Sequence, residues 1–274
     1  MNLPQQQAFF SRIAEQNAQY RFRLPSKQEA GKFLHRLLDF LFPISQDCRE
    51  FDNERDTNAV FGEIKQQLEC LLRPLGEKLN TDSATATNEF FKKLPGVFEL
   101  LLLDAREITE NDPASVGIEE VIAVYPGFMA IATYRIAHLL EECDVPLLPR
   151  MLTEYAHGLT GIDIHPKAVI GHSFFIDHGT GVVIGETTEI GNHVMIYQGV
   201  TLGATHVAKS LASQKRHPTI EDRVVIYANA TILGGRTVIG EGTVVGGNAW
   251  ITQSVPSYSQ VFNQSEVEIR TQPA

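Results

Sequence analysis

The stretch DIHPKAVIGHSFFIDHGTGVVIGETTEIGNHVMIYQGVTLG, residues 163–203, places an aliphatic residue at every sixth position, apart from one longer step. The same period resumes after an interruption and continues to residue 250. The series consists of Ile164, Ile170, Ile176, Ile184, Ile190, Ile196, Leu202, Ile220, Ile226, Ile232, Val238, Val244 and Trp250. A short fixed period predicts a solenoid in which each unit is one strand plus a corner and stacked units bury a shared core. Three such units complete one triangular coil.

Two places depart from this period. Between Ile176 and Ile184 the step is eight residues, and the extra residues fall around His178 and Gly179. Between Leu202 and residue 220 the chain covers three further units that have lost their apolar positions. A solenoid extrudes loops where its period breaks, so we expect the functional residues at these two places.

Composition narrows the classes of function. Apolar residues make up 43% of the 274 residues, as in ordinary soluble globular proteins, and the net charge of −10 argues against nucleic acid as a partner. Residues 190–220 nevertheless contain no Asp or Glu but include Lys209, Lys215 and Arg216, which favours an anionic ligand over a merely solvated loop. The odd number of cysteines, without zinc-type spacing, and the lack of a signal-peptide pattern or membrane-length apolar run predict a cytoplasmic protein without membrane contact.

The chain before residue 161 has helical periodicity. Apolar residues repeat at helical spacing over 33–41, before Pro43, and over 60–72, before Pro74. Further predicted helices are 88–110 with a candidate break at Pro95-Gly96, one beginning at Pro126, and 149–157 with Gly158 as its stop. We therefore predict a helical domain over 1–160, a β-helix over 161–256 and a tail over 257–274.

Several motifs occur in a fixed order along this pattern. They are Asp163-Ile164-His165-Pro166, Ile176-Asp177-His178-Gly179-Thr180-Gly181, Gly185-Glu186-Thr187, Gly199-Val200-Thr201-Leu202-Gly203 and Arg216-His217-Pro218, preceded by Asp112-Pro113-Ala114 and Tyr134-Arg135-Ile136-Ala137-His138. With the six-residue period, this set resembles the hexapeptide acyltransferases and, among them, the serine O-acetyltransferases. The resemblance implies an α+β protein in which an all-α N-terminal domain precedes a left-handed parallel β-helix.

The resemblance also implies an activity and its partners. The family transfers the acetyl group of acetyl-CoA to the hydroxyl of L-serine, the first step of cysteine biosynthesis, without a metal. It implies feedback inhibition by L-cysteine and assembly as a homotrimer or a dimer of trimers. Cysteine synthase is a partner in the family through a C-terminal isoleucine, and the ending Pro273-Ala274 departs from that pattern, which puts this partner in doubt.

Acetyl transfer to an alcohol requires a base to accept the hydroxyl proton, and histidine is the usual choice. His178 lies in the insertion and is flanked by Asp177, which favours catalysis over a solvated corner residue. Asp163 precedes it by fifteen residues, close to one coil, and the resemblance implies that Asp163 and His178 form a catalytic dyad.

The remaining site residues follow from the resemblance. It implies that Asp112 and Asp177 bind the substrate ammonium group and that Arg216 and His217 bind its carboxylate. It also places the acetyl-CoA arm in a groove between two subunits, covered by the loop 205–215. The backbone positions expected to contact that arm are Gly203, Ala204, Ala228 and Gly246.

Three alternatives remain at this point. A γ-type carbonic anhydrase on the same solenoid would bind zinc through histidines, for which the candidates are His172, His178, His193, His206 and His217. A non-catalytic interaction protein and an O-acetyltransferase acting on another small molecule are the others. The order of the motifs favours serine O-acetyltransferase over all three.

Overall fold

Helices and strands divide the chain near residue 161. A computed structural model describes residues 3–20, 24–44, 54–205 and 214–264. The helices are α1 (Leu3–Asn17), α2 (Lys27–Leu41), α3 (Glu54–Leu72) with a 3₁₀ turn (Arg73–Lys78), α4 (Ser83–Asn111), α5 (Ile118–Val124), α6 (Pro126–Glu142) and α7 (Leu148–Thr160). The strands are β1 (Asp163–Ile164), β2 (Val169–Ile170), β3 (Phe175–Asp177), β4 (Val183–Ile184), β5 (Glu189–Ile190), β6 (Met195–Tyr197), β7 (Thr201–Gly203), β8 (Thr219–Ile220), β9 (Val225–Ile226), β10 (Thr231–Leu233), β11 (Val238–Ile239), β12 (Val244–Val245), β13 (Trp250–Ile251) and β14 (Gln260–Val261).

Two predicted helix interruptions are wrong. Helix α4 runs unbroken through Pro95, because burial of Phe90 and Leu101 on the helical core offsets the lost backbone hydrogen bond. Helix α7 passes through Gly158 and ends three residues later at Gly161, whose φ of 72° is the left-handed conformation that terminates many helices. Both helices are therefore longer than the sequence pattern indicates.

The strands form three parallel sheets that the chain visits in turn. Sheet A has the order β1-β4-β7-β10-β13, sheet B has β11-β8-β5-β2, and sheet C has β14-β12-β9-β6-β3. Each coil contributes one strand to each sheet, which is a parallel β-helix. The ten predicted inward residues from Ile164 to Ile232 are all buried, with relative exposures of 8% or less.

The register of the inward series slips by one residue after Ile232. The sequence predicts Val238, Val244 and Trp250 as the next core residues, and that prediction is wrong. The buried residues are Ile239, Val245 and Ile251, whereas Trp250 is 70% exposed. The corner after β10 holds one extra residue, which Gly234 accommodates with a φ of 105°.

The β-helix also continues further than predicted. Strand β14 pairs in parallel with β12, so that Gln260 lies beside Val244 and Val261 beside Val245. The predicted tail from residue 257 therefore begins with residues that belong to the last coil.

The helical part is anchored on the first coil by the 134–138 motif of α6. The Tyr134 hydroxyl donates to the Ala168 carbonyl oxygen at 2.6 Å, and His138 Nδ1 lies 2.7 Å from the Pro166 carbonyl oxygen. Arg135, which lies between these two residues of α6 in the sequence, donates from Nη2 to the Gly171 carbonyl oxygen at 2.7 Å. One helix face thus holds the backbone of the coil that carries the inserted loop.

A buried ion pair completes this anchor. Arg135 donates from Nε and Nη2 to the two carboxylate oxygens of Asp104 on α4, at 2.5 and 2.8 Å. Asp104 also accepts from the Phe174 amide at 2.9 Å. Both charged side chains are almost fully buried, so helices α4 and α6 and the first coil share one fixed polar junction.

Candidate functional site

The inserted loop lies at the corner where the chain passes from sheet C to sheet A, here called the C–A corner. His178 has a φ of 57°, and Gly179 and Gly181 have values of 85° and 83°. A side chain at Gly179 would lie 2.4 Å from the side chain of Ile162, so only glycine fits there. This tight turn leaves the His178 imidazole 76% exposed, outside the β-helix.

Asp163 does not pair with His178 in this structure. Its carboxylate accepts a hydrogen bond from Arg150 Nη1 at 2.9 Å, and the same guanidinium binds Glu154. The acid nearest to the His178 ring is Asp177, with Nε2 and Oδ1 3.9 Å apart. The Arg150 guanidinium of α7 competes for the carboxylate that the predicted dyad requires, so the dyad remains a prediction.

Asp112 lies at the start of the loop that follows α4 and accepts two hydrogen bonds. One comes from the Ala114 amide at 2.8 Å, and the other comes from the Tyr125 hydroxyl at 2.7 Å. The hydrogen bond to Asp112 raises the pKa of Tyr125 to about 12, with further contributions from burial and from the charges of Asp112, Glu120 and Asp177. Tyr125 therefore stays protonated and links Asp112 to the beginning of α6.

The same arrangement brings Asp112 towards the inserted loop. Helix α6 packs so closely on β3 that a side chain at Gly127 would lie 2.2 Å from the Ile176 carbonyl oxygen. Burial first, and then the charges of Tyr227, Asp177 and Asp112, raise the pKa of Tyr197 on the neighbouring coil. Asp112 and Asp177 both act on Tyr125 and Tyr197, so the two acids lie near each other beside His178, and we call this acidic pair the acidic pocket.

Sequence reasoning missed Tyr125 and Tyr197 in this pocket. Tyr197 had a detectable signal, because it follows an inward isoleucine at the same corner as Asp177 does in the previous coil. Tyr125 had none beyond its position before Pro126 at the start of a helix.

Arg216 and His217 lie at a different corner, between sheets A and B. The Arg216 guanidinium binds Glu186, and both side chains are largely buried. The backbone amides of Arg216 and His217 donate to Thr187 Oγ1 at 2.9 and 3.1 Å. Thr187 therefore fixes this pair of residues against the Gly185-Glu186-Thr187 motif of the previous coil.

The His217 ring is held in one orientation and one charge state. Its Nδ1 accepts from the Thr187 amide at 3.0 Å, which leaves the proton on Nε2. Burial, followed by the charge of Arg216, lowers the pKa of His217 to about 4. The ring is neutral near pH 7, so it offers a hydrogen bond, and the positive charge of this corner comes from Arg216.

Glycine at position 185 leaves room for that ring. A methyl group at Gly185 would lie 2.1 Å from His217 Cδ2.

The pKa values of two neighbouring side chains, His165 and Glu186, are also shifted. Burial, the largest cause, lowers the pKa of His165, and the charges of Arg150 and Lys167 lower it further. The pKa of Glu186 is lowered although burial, the largest single effect, acts to raise it, because the hydrogen bond from Arg216 and nearby positive charges prevail.

The four predicted acetyl-CoA positions separate into two pairs. Gly203 ends β7 and Ala204 follows it at the A–B corner, which also carries Arg216, whereas Ala228 and Gly246 follow β9 and β12 at the C–A corner. The Ala228 carbonyl accepts from the Asn248 amide at 2.9 Å, and the Gly246 amide donates to the Val261 carbonyl at 2.8 Å. Residues 206–213 of the predicted covering loop lie outside the described residues.

The candidate zinc-binding histidines also lie at different corners of the β-helix. His172 and His193 contact each other edge to face with ring centroids 5.0 Å apart, and His193 binds Glu107 at 2.9 Å. His178 and His217 lie at the two other corners, and His206 falls outside the described residues. Within the described ranges, the one group of side chains spaced to share a metal ion is Glu154, His157 and Asp163, where Arg150 already binds both acids.

No helix in the described part of the chain has the length and apolar character needed to cross a membrane. A scan against models of protein families matches none of them. The chain is, however, 42% identical over 277 residues to the plasmid serine acetyltransferase of Synechococcus elongatus, covering 91% of this chain and 84% of the relative. It is 46% identical over 164 residues to the serine acetyltransferase of Bacillus subtilis, covering 60% and 73%.

Solved structures give the same result. Serine acetyltransferase 1 of Entamoeba histolytica, in complex with L-cysteine, aligns with a TM-score of 0.77 and 34% identity over 88% of each chain. The serine acetyltransferase of Neisseria gonorrhoeae, in complex with serine, aligns with a TM-score of 0.59 and 27% identity over 88% of this chain and 97% of that one. The predicted fold class, helices followed by a left-handed parallel β-helix, is confirmed.

Proposed function

The chain belongs to the serine acetyltransferase family, and from this premise we propose that His178 is the general base of its reaction. The enzyme transfers the acetyl group of acetyl-CoA to the hydroxyl of L-serine, releases CoA and forms O-acetyl-L-serine, the first step of cysteine biosynthesis. The observation that carries the assignment of the base is the exposed His178 imidazole beside the pocket of Asp112 and Asp177.

The chemistry requires one proton transfer at the attacking oxygen. His178 accepts the serine hydroxyl proton while that oxygen attacks the thioester carbonyl carbon. The tetrahedral intermediate then expels the CoA sulfur, and the imidazolium returns the proton to it. In the proposed dyad Asp163 stabilises the imidazolium, which requires its carboxylate to leave Arg150 for His178.

The acidic pocket suits the substrate ammonium group. Asp112, after α4, and Asp177, at the C–A corner, are both partly buried, so an ammonium group bound beside them would face two carboxylates. L-Cysteine has the same ammonium and carboxylate groups as L-serine, so it would compete for this pocket and act as a feedback inhibitor.

The carboxylate would be bound by Arg216 and His217, which lie at the A–B corner. The hydrogen bonds that place them run to Glu186 and Thr187 and not to the C–A corner. If the C–A corner of one copy packs against the A–B corner of another, the two copies together complete the serine site. The same contact would enclose acetyl-CoA between the backbone of Gly203 and Ala204 on one copy and that of Ala228 and Gly246 on the other. This split supports an assembly of several copies, and we extend the proposal to a homotrimer in the cytoplasm.

The decisive experiment measures thiol release from acetyl-CoA with and without L-serine. Replacing His178 with Ala should lower turnover by roughly 10²–10⁴ without changing the thermal unfolding temperature. The control is His35→Ala, at an exposed histidine of α2, which should leave turnover unchanged. Near-normal turnover of H178A would reject the base assignment. If CoA release responds to sugars but not to L-serine, the acetyl acceptor is a sugar and the proposed substrate is wrong.

A mixing experiment tests the shared site. Chains carrying H178A and chains carrying R216A should each be impaired, and refolding them together should restore part of the activity if one site draws on two copies. No recovery in mixed oligomers would mean that His178 of one copy and Arg216 of another do not meet in one site.

A further inference from the structure

An aromatic pair extends from the acidic pocket along the β-helix. Asp177 pairs in register with Tyr197, and the next residue in the same column, one coil further, is Tyr227. The two tyrosine rings are stacked, with centroids 4.9 Å apart and an interplanar angle of 16°. Their separation matches the spacing of neighbouring parallel strands, so the stack runs along the β-helix axis.

This stack leaves one ring face of Tyr197 directed towards Asp177. Tyr227 covers one face of the Tyr197 ring, and the opposite face is turned to the coil that carries Asp177. The charges of Asp177 and Asp112 contribute to the raised pKa of Tyr197, after burial and Tyr227, which is consistent with their proximity. A cation placed between the two acids would therefore lie near an aromatic face.

The pair lies on the outer side of sheet C and does not fill the core. The inward residue of that strand is Ile196, which is fully buried, whereas Tyr227 is 43% exposed. The next position of the column is Gly246, which has no side chain to extend the stack. The stack therefore consists of two rings, with Asp177 in register on the coil before Tyr197.

We propose that Tyr197 binds the ammonium group of the amino-acid substrate through its ring face and that Tyr227 positions this ring. The attraction is a cation–π interaction added to the two carboxylates, and it favours substrates with a free α-ammonium group. The proposal rests on the proposed serine site, since it assigns a further contact within that site.

The test compares aromatic and non-aromatic variants of Tyr197. Tyr197→Phe keeps the ring and should leave the serine KM within about twofold of wild type. Tyr197→Leu should raise the serine KM by about three- to twentyfold, with little change in the acetyl-CoA KM. Tyr227→Leu should have a smaller effect in the same direction. Tyr258→Leu, at an exposed tyrosine on the corner between sheets B and C of the last coil, is the matched control and should change neither KM.

An analogue without the amino group separates ammonium binding from general damage. Inhibition by 3-hydroxypropionate should be equally strong against wild type and Y197L, because the analogue has no cation for the ring. If Y197L lacks a cooperative thermal unfolding transition, Tyr197→Met takes its place in the same comparison.

Three results would overturn the inference. An unchanged serine KM in Y197L, an equal loss of analogue binding, or a Phe variant as impaired as the Leu variant each rejects ring-face recognition. If wild-type protein releases no CoA in response to serine, the proposed function fails, whereas an active wild type with an unaffected Y197L rejects the role of Tyr197 alone.

Discussion

Replacing Arg135 with Met should destabilise the protein more than any exposed charge substitution. Arg135 supplies two of the three hydrogen bonds described for the Asp104 carboxylate, and the Phe174 amide supplies the third. Asp104 has no solvent exposure, so water cannot replace the lost donors. The variant therefore leaves a buried negative charge with one amide partner.

The expected loss is about 3–5 kcal/mol, the usual cost of removing one partner of a buried ion pair. At roughly 2–4 °C per kcal/mol for a chain of this size, the thermal midpoint should fall by about 6–20 °C. Circular dichroism at 222 nm measures that midpoint. Lys32→Met is the control, because its ion pair with Glu29 is exposed and worth less than about 1 kcal/mol.

The double variant Asp104→Leu/Arg135→Met distinguishes an unpaired charge from lost packing. It should recover much of the stability, because two apolar side chains leave no buried charge behind. A single R135M variant as mild as K32M would refute the reasoning, as would a double variant less stable than R135M. Because Arg135 anchors α6, R135M should also raise the serine KM through displacement of Tyr125.

Two further predictions concern the A–B corner. Gly185→Ala places a methyl group against the His217 ring, so loss of its hydrogen bonds should raise the serine KM by about tenfold, while Gly62→Ala, which has open space, should not. His217 should also make the stability of the protein depend on pH, because its pKa of about 4 in the folded state lies below its unfolded value of about 6.5. Between these two values the unfolded chain binds more protons than the folded one. The free energy of unfolding should therefore fall, by order 3 kcal/mol, as the pH drops from about 6.5 to 4. Urea unfolding across this range should show a flatter profile for H217Q, and an unchanged profile would contradict the assignment.

Most of the β-helix could be predicted because its core residues obey a strict period. That prediction failed after Ile232, since one residue added at a glycine corner shifts every later side chain to the opposite face. Helices α1 and α5 went unpredicted for different reasons. No residue of α1 is buried, so it has no core-facing stripe, and α5 has only seven residues.

Less of the candidate site than of the β-helix could be predicted from the sequence alone. Asp112 and Asp177 are distant in sequence, and no spacing rule connects them; only the resemblance named both. The structure supplies the physical link, through Tyr125 at the start of α6 and the close contact of Gly127 with β3. It also shows Arg150 holding Asp163, a competition that sequence spacing does not reveal.

The attachment of α6 and α7 to the first coil has a consequence for assembly. Strands β1, β2 and β3 each have a neighbour on one side only, and open strand edges invite pairing with other molecules. Helices α6 and α7 contact β1, and α4 and α6 contact β3, so they shield the starting end of the solenoid. Direct pairing of these strand edges with a second solenoid is thereby blocked at this end of the β-helix.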